Sequence, residues 1–130
     1  MLYTAEHYSK AYDWPLRHFT PKEVADSRTD EIRLWVPFGR KMDLLRSTHG
    51  QAIFVTSWYR DEDHDREIGG KGNHCGGWAA DIWSHNKYKL LHDICAVQFA
   101  GVGIARSFFH VDDNRDYIDQ EKRPALWTYG

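Results

Sequence analysis

A long helix is predicted for residues 30–48, where apolar residues recur with a period near 3.6 and basic residues occupy the other side. The apolar positions of this stretch are Ile32, Trp35, Val36, Met42 and Leu45. Pro37 has no amide proton to donate, so the regular helix is expected either to begin near Val36 or to be kinked there. Gly50, which follows His49, is typical of a helix end.

A shorter helix is expected between residues 20 and 27. Thr20 can cap it, Pro21 suits the first helical position, and Glu23 completes a capping box. The stretch after it has no comparable helical pattern until residue 30, so this helix is expected to be brief.

A third helix is expected to run to about Phe99, with either Ser84 or Asn86 as its cap. Its apolar residues recur at helical spacing, which indicates that one side faces a core. The residues expected to face inward are Tyr88, Leu91, Ile94 and Cys95.

Four stretches rich in apolar and β-branched residues predict strands. They are residues 51–57, 78–83, 102–105 and 108–112, the last two joined by a tight turn at Arg106-Ser107. Residues 60–73 carry five acidic residues and three glycines, and they are expected to form a mobile surface loop.

The order of these elements predicts the fold class. Helices come first, and the strands then surround one further helix, which favours an α+β domain over a doubly wound α/β fold. The expected architecture is a small antiparallel sheet with helices packed on one face. Residues 1–130 are expected to form a single domain, with residues 1–18 as a lead-in and residues 19–130 as the core.

Composition narrows the classes of function. The chain has 130 residues, 17 Lys and Arg against 19 Asp and Glu, and a formal net charge of -2. It lacks the basic excess of a nucleic-acid binder, so no nucleic-acid partner is expected. No stretch approaches the roughly 18 apolar residues that a membrane span needs. The first seven residues have neither a basic nor an apolar segment, so we expect synthesis in the cytoplasm without a signal peptide.

Two histidines are candidates for chemistry because each is followed by an aspartate at short spacing. His74 opens a glycine-rich stretch that leads to Asp81, and His110 precedes Asp112 by two residues on a predicted strand. If the two strands present the same face, His74, Asp81 and His110 can converge, and two imidazoles with one carboxylate form the ligand set of a catalytic zinc site. Spacing alone also permits a protein without metal, in which His74 is a loop residue and His110 hydrogen-bonds Asp112.

Several motifs occur along the chain in the order of a known family. The principal ones are His74-x-x-Gly77-x-Ala79-x-Asp81 and Phe109-His110-Val111-Asp112. Weaker ones are Phe19-Thr20-Pro21-Lys22-Glu23, the strand ending Ser57-Trp58-Tyr59-Arg60, Gly101-Val102-Gly103-Ile104, and Arg123-Pro124 with Trp127. Together they resemble the M15 zinc peptidases, the D-Ala-D-Ala carboxypeptidase group, over residues 19–130. The resemblance implies a fold like that of the hedgehog and DD-peptidase proteins.

The resemblance implies a metal-dependent enzyme. It implies one Zn²⁺ held by His74, Asp81 and His110, and a metal-activated water that hydrolyses peptidoglycan stem peptides. Asp112 is expected to act as the general base, although Asp112 rather than His110 as the third ligand remains an alternative. Carboxypeptidase and endopeptidase activities both occur in this family, so the bond cleaved stays open.

Substrate contacts are implied at three further residues. Arg60, at the end of the strand, would hold a substrate carboxylate or the developing oxyanion. Ser57 lies at the same strand end. Trp83 shares a strand face with Asp81, which makes it a candidate for the wall of the groove.

The chain departs from the family pattern at three positions. Gly72 replaces a serine two residues before the first histidine, and Trp58 replaces a glycine, where it would either narrow the groove or pack beneath it. Ser107 lies where some family branches carry a catalytic carboxylate, so Asp112 must take that role or the enzyme is weak or inactive.

Three functional alternatives follow. The first is an active zinc peptidase, and the second is a catalytically weak or inactive zinc-binding module that acts in cell-wall or partner binding. The third is an unrelated α+β domain without metal. For the first, we expect a monomer, encoded by a phage and acting at the cell wall after release.

Overall fold

The computed structural model describes residues 2–10, 13–114 and 123–129. Its α-helices are α1 (Ala5–Ser9), α2 (Pro21–Val24), α3 (Val36–His49), α4 (Glu62–Glu67) and α5 (Lys87–Val97), and a 3-10 helix spans Asn73–Gly76. The strands are β1 (Phe54–Ser57), β2 (Ala79–Trp83), β3 (Gly101–Ile104), β4 (Phe109–Asp112) and β5 (Ala125–Thr128). Within these ranges, no helix combines the length and apolar character that crossing a bilayer requires.

The strands pair in a single mixed sheet of order β1-β2-β4-β3-β5. All neighbours are antiparallel except β3 and β5, which are parallel. Asp81 of β2 lies opposite His110 of β4. Because side chains alternate along a strand, these two residues share one sheet face, and their neighbours Ile82 and Val111 point to the other.

Helices cover the face that carries Ile82 and Val111. The fully buried side chains on this side also include Phe38, Met42 and Leu45 of α3 and Leu90 and Ile94 of α5. Burying a side chain of this size contributes about 1.5–3 kcal/mol. The core therefore fixes the orientation of the sheet, and the opposite face remains available for a cleft.

Trp58 belongs to this core. Its side chain is fully buried and meets the rings of Phe19 and Phe38 edge-on, each at a centroid distance of 5.4 Å. Trp58 replaces a glycine of the family pattern and was expected either to narrow the groove or to pack beneath it. Its burial in the core supports packing beneath the groove.

A buried polar network joins α3 to α5 and to the end of β2. The two ring nitrogens of His49 lie 2.9 Å from Asp93 Oδ2 and 2.8 Å from Ser84 Oγ. Lys89 Nζ donates to the same Asp93 oxygen at 2.7 Å. Burial opposes the ionisation of Asp93, but the hydrogen bonds from Lys89 and His49 outweigh it and lower the Asp93 pKa to about 2.

The predicted α+β class is confirmed, but the predicted sheet was wrong in one respect. The sheet is mixed, because β5, which the sequence analysis did not identify, pairs in parallel with β3. Its four residues alternate between half-buried and exposed and directly follow Pro124, so they carry little strand signal of their own. The division into a lead-in and a core stays a prediction.

The prediction of a loop over residues 60–73 was also wrong, because this stretch contains α4. The side chain of Asp61 caps the helix by accepting from the backbone N–H of His64 at 2.7 Å. Three of the five acidic residues in this stretch, Glu62, Asp63 and Asp65, lie in the first turn, where the helix dipole favours negative charge.

The expected inward face of the third helix was partly wrong. Tyr88 is 83% exposed and Cys95 is also exposed, whereas Leu90 and Ile94 are fully buried. Asn86 caps the helix, because its side chain accepts a hydrogen bond from the backbone N–H of Lys89. The buried stripe therefore begins at Leu90.

Candidate metal centre

The centre is built on the open face of the sheet, where β2 and β4 run side by side. The register sets Asp81 directly against His110, and Oδ1 of Asp81 lies 3.0 Å from Nδ1 of His110. His110 is buried and Asp81 is half-buried. Two of the three predicted ligands are thus brought together by strand pairing alone.

His74 reaches the same point from the 3-10 helix before β2. The turn requires glycine at both ends, since Gly72 has a φ of 89° and Gly77 a φ of 75°, in the left-handed region. At Gly77 a Cβ would also lie 2.2 Å from the carbonyl oxygen of Arg33. The chain can therefore turn sharply between His74 and Asp81.

The ring of His74 is held in one orientation by the backbone. Its Nδ1 lies 2.9 Å from the carbonyl oxygen of Trp58. A carbonyl only accepts, so Nδ1 carries the proton and the lone pair of Nε2 is left for a metal. Nε2 is the atom that faces Asp81, at 3.4 Å from Oδ2.

The donor atoms have a spacing that suits zinc. One ligand atom from each of His74, Asp81 and His110 lies within 4.8 Å of the other two. Tetrahedral zinc with bonds near 2.1 Å separates its ligands by about 3.4 Å. His74 Nε2 lies 3.4 Å from Asp81 Oδ2, and His110 Nδ1 lies 3.0 Å from the other oxygen, Oδ1, so both separations are close to that value. Two nitrogens and one oxygen are also donors that zinc prefers.

The electrostatics of the cluster keep Asp81 ionised. Burial opposes its charge, but without a metal the protonated imidazoles of His110 and His74 outweigh burial and hold the Asp81 pKa well below its ordinary value. A metal would take the place of the protons that these rings direct at Asp81. Burial lowers the His110 pKa, but the carboxylates of Asp112 and Asp81 raise it by more than burial lowers it. The net shift of the His110 pKa is therefore upward. Such a cluster concentrates negative charge around two imidazoles, which favours a cation among them.

Asp112 contacts the His110 ring at Nε2, whereas Asp81 faces the other ring nitrogen, Nδ1. Asp112 Oδ2 is 2.8 Å from His110 Nε2, and it also accepts from Asn73 Nδ2 at 3.0 Å. Its Oδ1 accepts from Arg123 Nη1 at 2.9 Å and from the Asn114 N–H at 3.1 Å. Although burial alone raises the Asp112 pKa, the hydrogen bonds from His110, Asn114 and Asn73 lower it to about 2.

As general base, Asp112 stays a prediction. The residue is 0% exposed and is not among the described residues that line the cleft. The geometry matches a carboxylate that orients a metal-binding histidine through its second ring nitrogen. Asp112 as third ligand also stays a prediction; His110 Nδ1 is the atom that lies 3.0 Å from Asp81 Oδ1.

Arg60 follows β1 and points towards the centre. Its Nη2 donates to Ser57 Oγ at 2.9 Å and lies 4.0 Å from Asp81 Oδ2, while its Nη1 donates to Asp65 Oδ1 at 2.8 Å. Arg60 lines the cleft and Ser57 does not. Ser57 therefore contacts Arg60, and its role as a substrate contact stays a prediction.

The open face carries a cleft of about 780 Å³. Among the residues lining it are His74, Asp81, His110, Arg60, Lys71 and Tyr129. Trp83 lies on the same sheet face but outside the cleft wall, where its ring stacks on that of Phe54 at a centroid distance of 4.3 Å. As a substrate contact, Trp83 stays a prediction.

Sequence reasoning missed two residues that the structure brings to the site. Asp65 falls in the segment expected to be a loop, yet its side chain is 4% exposed and pairs with Arg60. Asn73 precedes His74 and donates to Asp112. A cap at Asp61 was the only available signal for the helix that carries Asp65.

The fold and the site together define an α+β protein with a candidate two-histidine, one-aspartate metal centre at the base of a cleft. Comparison with known families agrees, since the model of the family described as Peptidase M15 matches residues 18–112. The chain belongs to the peptidase M15 family, as its motifs indicated, and is a hydrolytic peptidase. No curated protein and no solved structure matches the chain.

Proposed function

We propose that this chain is a zinc-dependent peptidase that hydrolyses peptidoglycan stem peptides. The observation that carries the proposal is the convergence of His74, Asp81 and His110 within 4.8 Å on the floor of an open cleft. Membership of a peptidase family supplies the reaction class. The substrate class rests on the resemblance of the chain's motifs to D-Ala-D-Ala carboxypeptidases.

The metal site would use His74 Nε2, Asp81 and His110 Nδ1 as its three protein ligands. A bound Zn²⁺ lowers the pKa of a coordinated water towards 7 and polarises a carbonyl oxygen. Each imidazole is oriented through the ring nitrogen that would not bind the metal. The Trp58 carbonyl holds Nδ1 of His74, and Asp112 holds Nε2 of His110. Such support holds the ligand rings in place before a metal arrives, which reduces the entropy lost on binding.

Positive charge near the centre supports a substrate with a free carboxylate. Arg60 and Lys71 both line the cleft, and Arg60 is held at the edge of the metal cluster. A planar guanidinium binds a carboxylate through two parallel N–H donors. Stem peptides carry such groups at their C-terminus and on their acidic residues, so we assign Arg60 to carboxylate binding.

A second function, a zinc-binding module with weak catalysis, is favoured by one observation. The acidic residues lining the cleft are Asp65 and Asp81 within the described part of the chain, and both are engaged by Arg60 or by the imidazoles. Ser107 occupies the position at which some family branches carry a catalytic carboxylate. A weak enzyme would bind zinc and stem peptides but turn over slowly.

The test is mass spectrometry of products from defined muropeptides incubated with zinc-loaded protein. We expect cleavage that stops when a chelator is added and returns with zinc, and the product masses identify the bond. Stem peptides that bind but stay intact would favour the second function. Neither binding nor cleavage would contradict both. Release of fragments from purified sacculi tests the further proposal that a phage-encoded enzyme of this kind acts at the cell wall.

A further inference from the structure

We propose that Asp65 is a positioning residue that holds Arg60 at the metal centre and fixes the loop leading to His74. The inference rests on the proposed function, because it assigns to Asp65 the control of carboxylate recognition by Arg60. Asp65 would act through Arg60 and the loop rather than on the substrate itself.

The guanidinium of Arg60 is fixed at two points. Nη1 donates to Asp65 Oδ1 at 2.8 Å, and Nη2 donates to Ser57 Oγ at 2.9 Å. Two fixed hydrogen bonds set both the position and the plane of a planar group. The side chains are only 12% and 4% exposed for Arg60 and Asp65, so water competes weakly for this pair.

Asp65 also balances a competing attraction. Nη2 of Arg60 lies 4.0 Å from Oδ2 of Asp81, a proposed metal ligand. Asp65 and Asp81 are the acidic side chains that pair with this guanidinium in the described part of the chain, so without the Asp65 carboxylate Arg60 would be drawn towards Asp81. The arginine would then occupy the space beside the metal and would offer fewer N–H donors to a substrate carboxylate.

The second oxygen of Asp65 organises the loop before His74. Oδ2 accepts from the backbone N–H of Gly72 at 2.8 Å, and the backbone oxygen of Asp65 accepts from the N–H of Gly70 at 2.8 Å. Gly72 is two residues from His74 and begins the turn that delivers its imidazole. A single carboxylate thus connects the substrate-binding arginine to the loop that supplies a metal ligand.

The carboxylate of Asp65 lies directly against Gly70, where only a residue without a side chain leaves room for it. A Cβ on Gly70 would lie 2.2 Å to 2.5 Å from the three carboxylate atoms of Asp65. A Gly70→Ala substitution would push the carboxylate off Arg60 without changing any charge. The structure therefore offers two independent ways to disturb the same contact.

The experiment compares Asp65→Asn, Gly70→Ala and a matched control, Asp63→Asn. Asp63 lies on the same helix, but its side chain is 75% exposed and pairs with Arg66 at the surface. Asn at position 65 keeps one acceptor oxygen, so it cannot serve both Arg60 and Gly72. Each zinc-loaded protein is assayed on a stem pentapeptide with a free C-terminal carboxylate and on the same peptide with a C-terminal amide.

We expect the wild type to prefer the free acid, and Asp65→Asn and Gly70→Ala to reduce that preference about tenfold or more, mainly through KM. Asp63→Asn should keep the wild-type preference. An unchanged preference in both Asp65→Asn and Gly70→Ala would overturn the proposal. A wild type that cleaves neither peptide would instead count against the proposed function.

A structural measurement keeps the proposal testable if the wild type is inactive. Nuclear magnetic resonance of the Arg60 guanidinium reports whether its rotation is restrained. We expect resolved, slowly rotating Nη groups in the wild type and in Asp63→Asn, and averaged signals in Asp65→Asn and Gly70→Ala. A freely rotating guanidinium in the wild type would overturn the positioning role whatever the activity.

Discussion

Nε2 of His110 lies 2.8 Å from Oδ2 of Asp112, and the carboxylate is fully buried on the side of the ring away from Asp81. An ionised carboxylate there fixes the proton on Nε2 and leaves the lone pair of Nδ1 for a metal. The pair thus resembles the carboxylate–histidine–zinc arrangement of metal sites more than a proton-transfer group.

Asp112→Asn is therefore expected to weaken zinc binding by about 10- to 100-fold, because the His110 ring loses the partner that sets its tautomer and orientation. Isothermal titration calorimetry of the metal-free protein with zinc measures the change. A general base would behave differently, since its removal abolishes hydrolysis but leaves zinc affinity unchanged. Wild-type zinc affinity in Asp112→Asn would contradict the positioning role.

Gly77→Ala is expected to destabilise the fold by several kcal/mol and to reduce zinc binding. Its φ of 75° is unfavourable for alanine, and the new Cβ would lie 2.2 Å from the Arg33 carbonyl oxygen. Gly50→Ala is a matched control, because Gly50 has a φ of 70° but open space around it. Urea denaturation should show a loss of only about 1–2 kcal/mol for the control.

The Asp93 network predicts a pH-dependent contribution to stability. The folded-state pKa of Asp93 is lowered to about 2 from 3.8, so its stabilising effect is present above about pH 4 and is lost as the pH falls towards 2. Asp93→Asn should reduce the free energy of unfolding by about 1.5–3 kcal/mol at pH 7. The difference from wild type should shrink between pH 4 and about 2. A difference that does not change with pH in urea denaturation would contradict this assignment.

Trp83→Ala tests whether the aromatic pair beside the cleft contacts substrate. Trp83 and Phe54 stack on the same sheet face as Asp81, and the ring lies outside the cleft wall. If a stem peptide extends over this face, KM should rise several-fold while zinc affinity stays at the wild-type value. Unchanged kinetics on muropeptides would restrict the binding site to the cleft.

Much of the candidate site could be predicted because it depends on local pattern. Alternation along β2 and β4 sets Asp81 and His110 on one face, and the glycines around His74 allow the turn that brings its ring to them. These features follow from periodicity and from backbone freedom at a few positions. A capping residue likewise located α2, at Thr20, and the choice between Ser84 and Asn86 placed the start of α5 within two residues.

The remaining features depend on contacts between distant parts of the chain. The burial of Asp112 requires Asn73 and Arg123 to close over it, and neither contact has a local signature. Asp65 gains its role only after α4 packs beside Arg60, in a segment whose charges indicated a loop. The parallel pairing of β5 with β3 also joins segments more than twenty residues apart.

The most direct test of the central claim is the zinc content of purified protein, measured by mass spectrometry of the metal after reconstitution and dialysis. Wild type and His92→Ala, whose side chain is 73% exposed, should each retain about one zinc per chain. His74→Ala, Asp81→Ala and His110→Ala should each retain far less while remaining folded. Full zinc content in these three variants, or none in the wild type, would contradict the account.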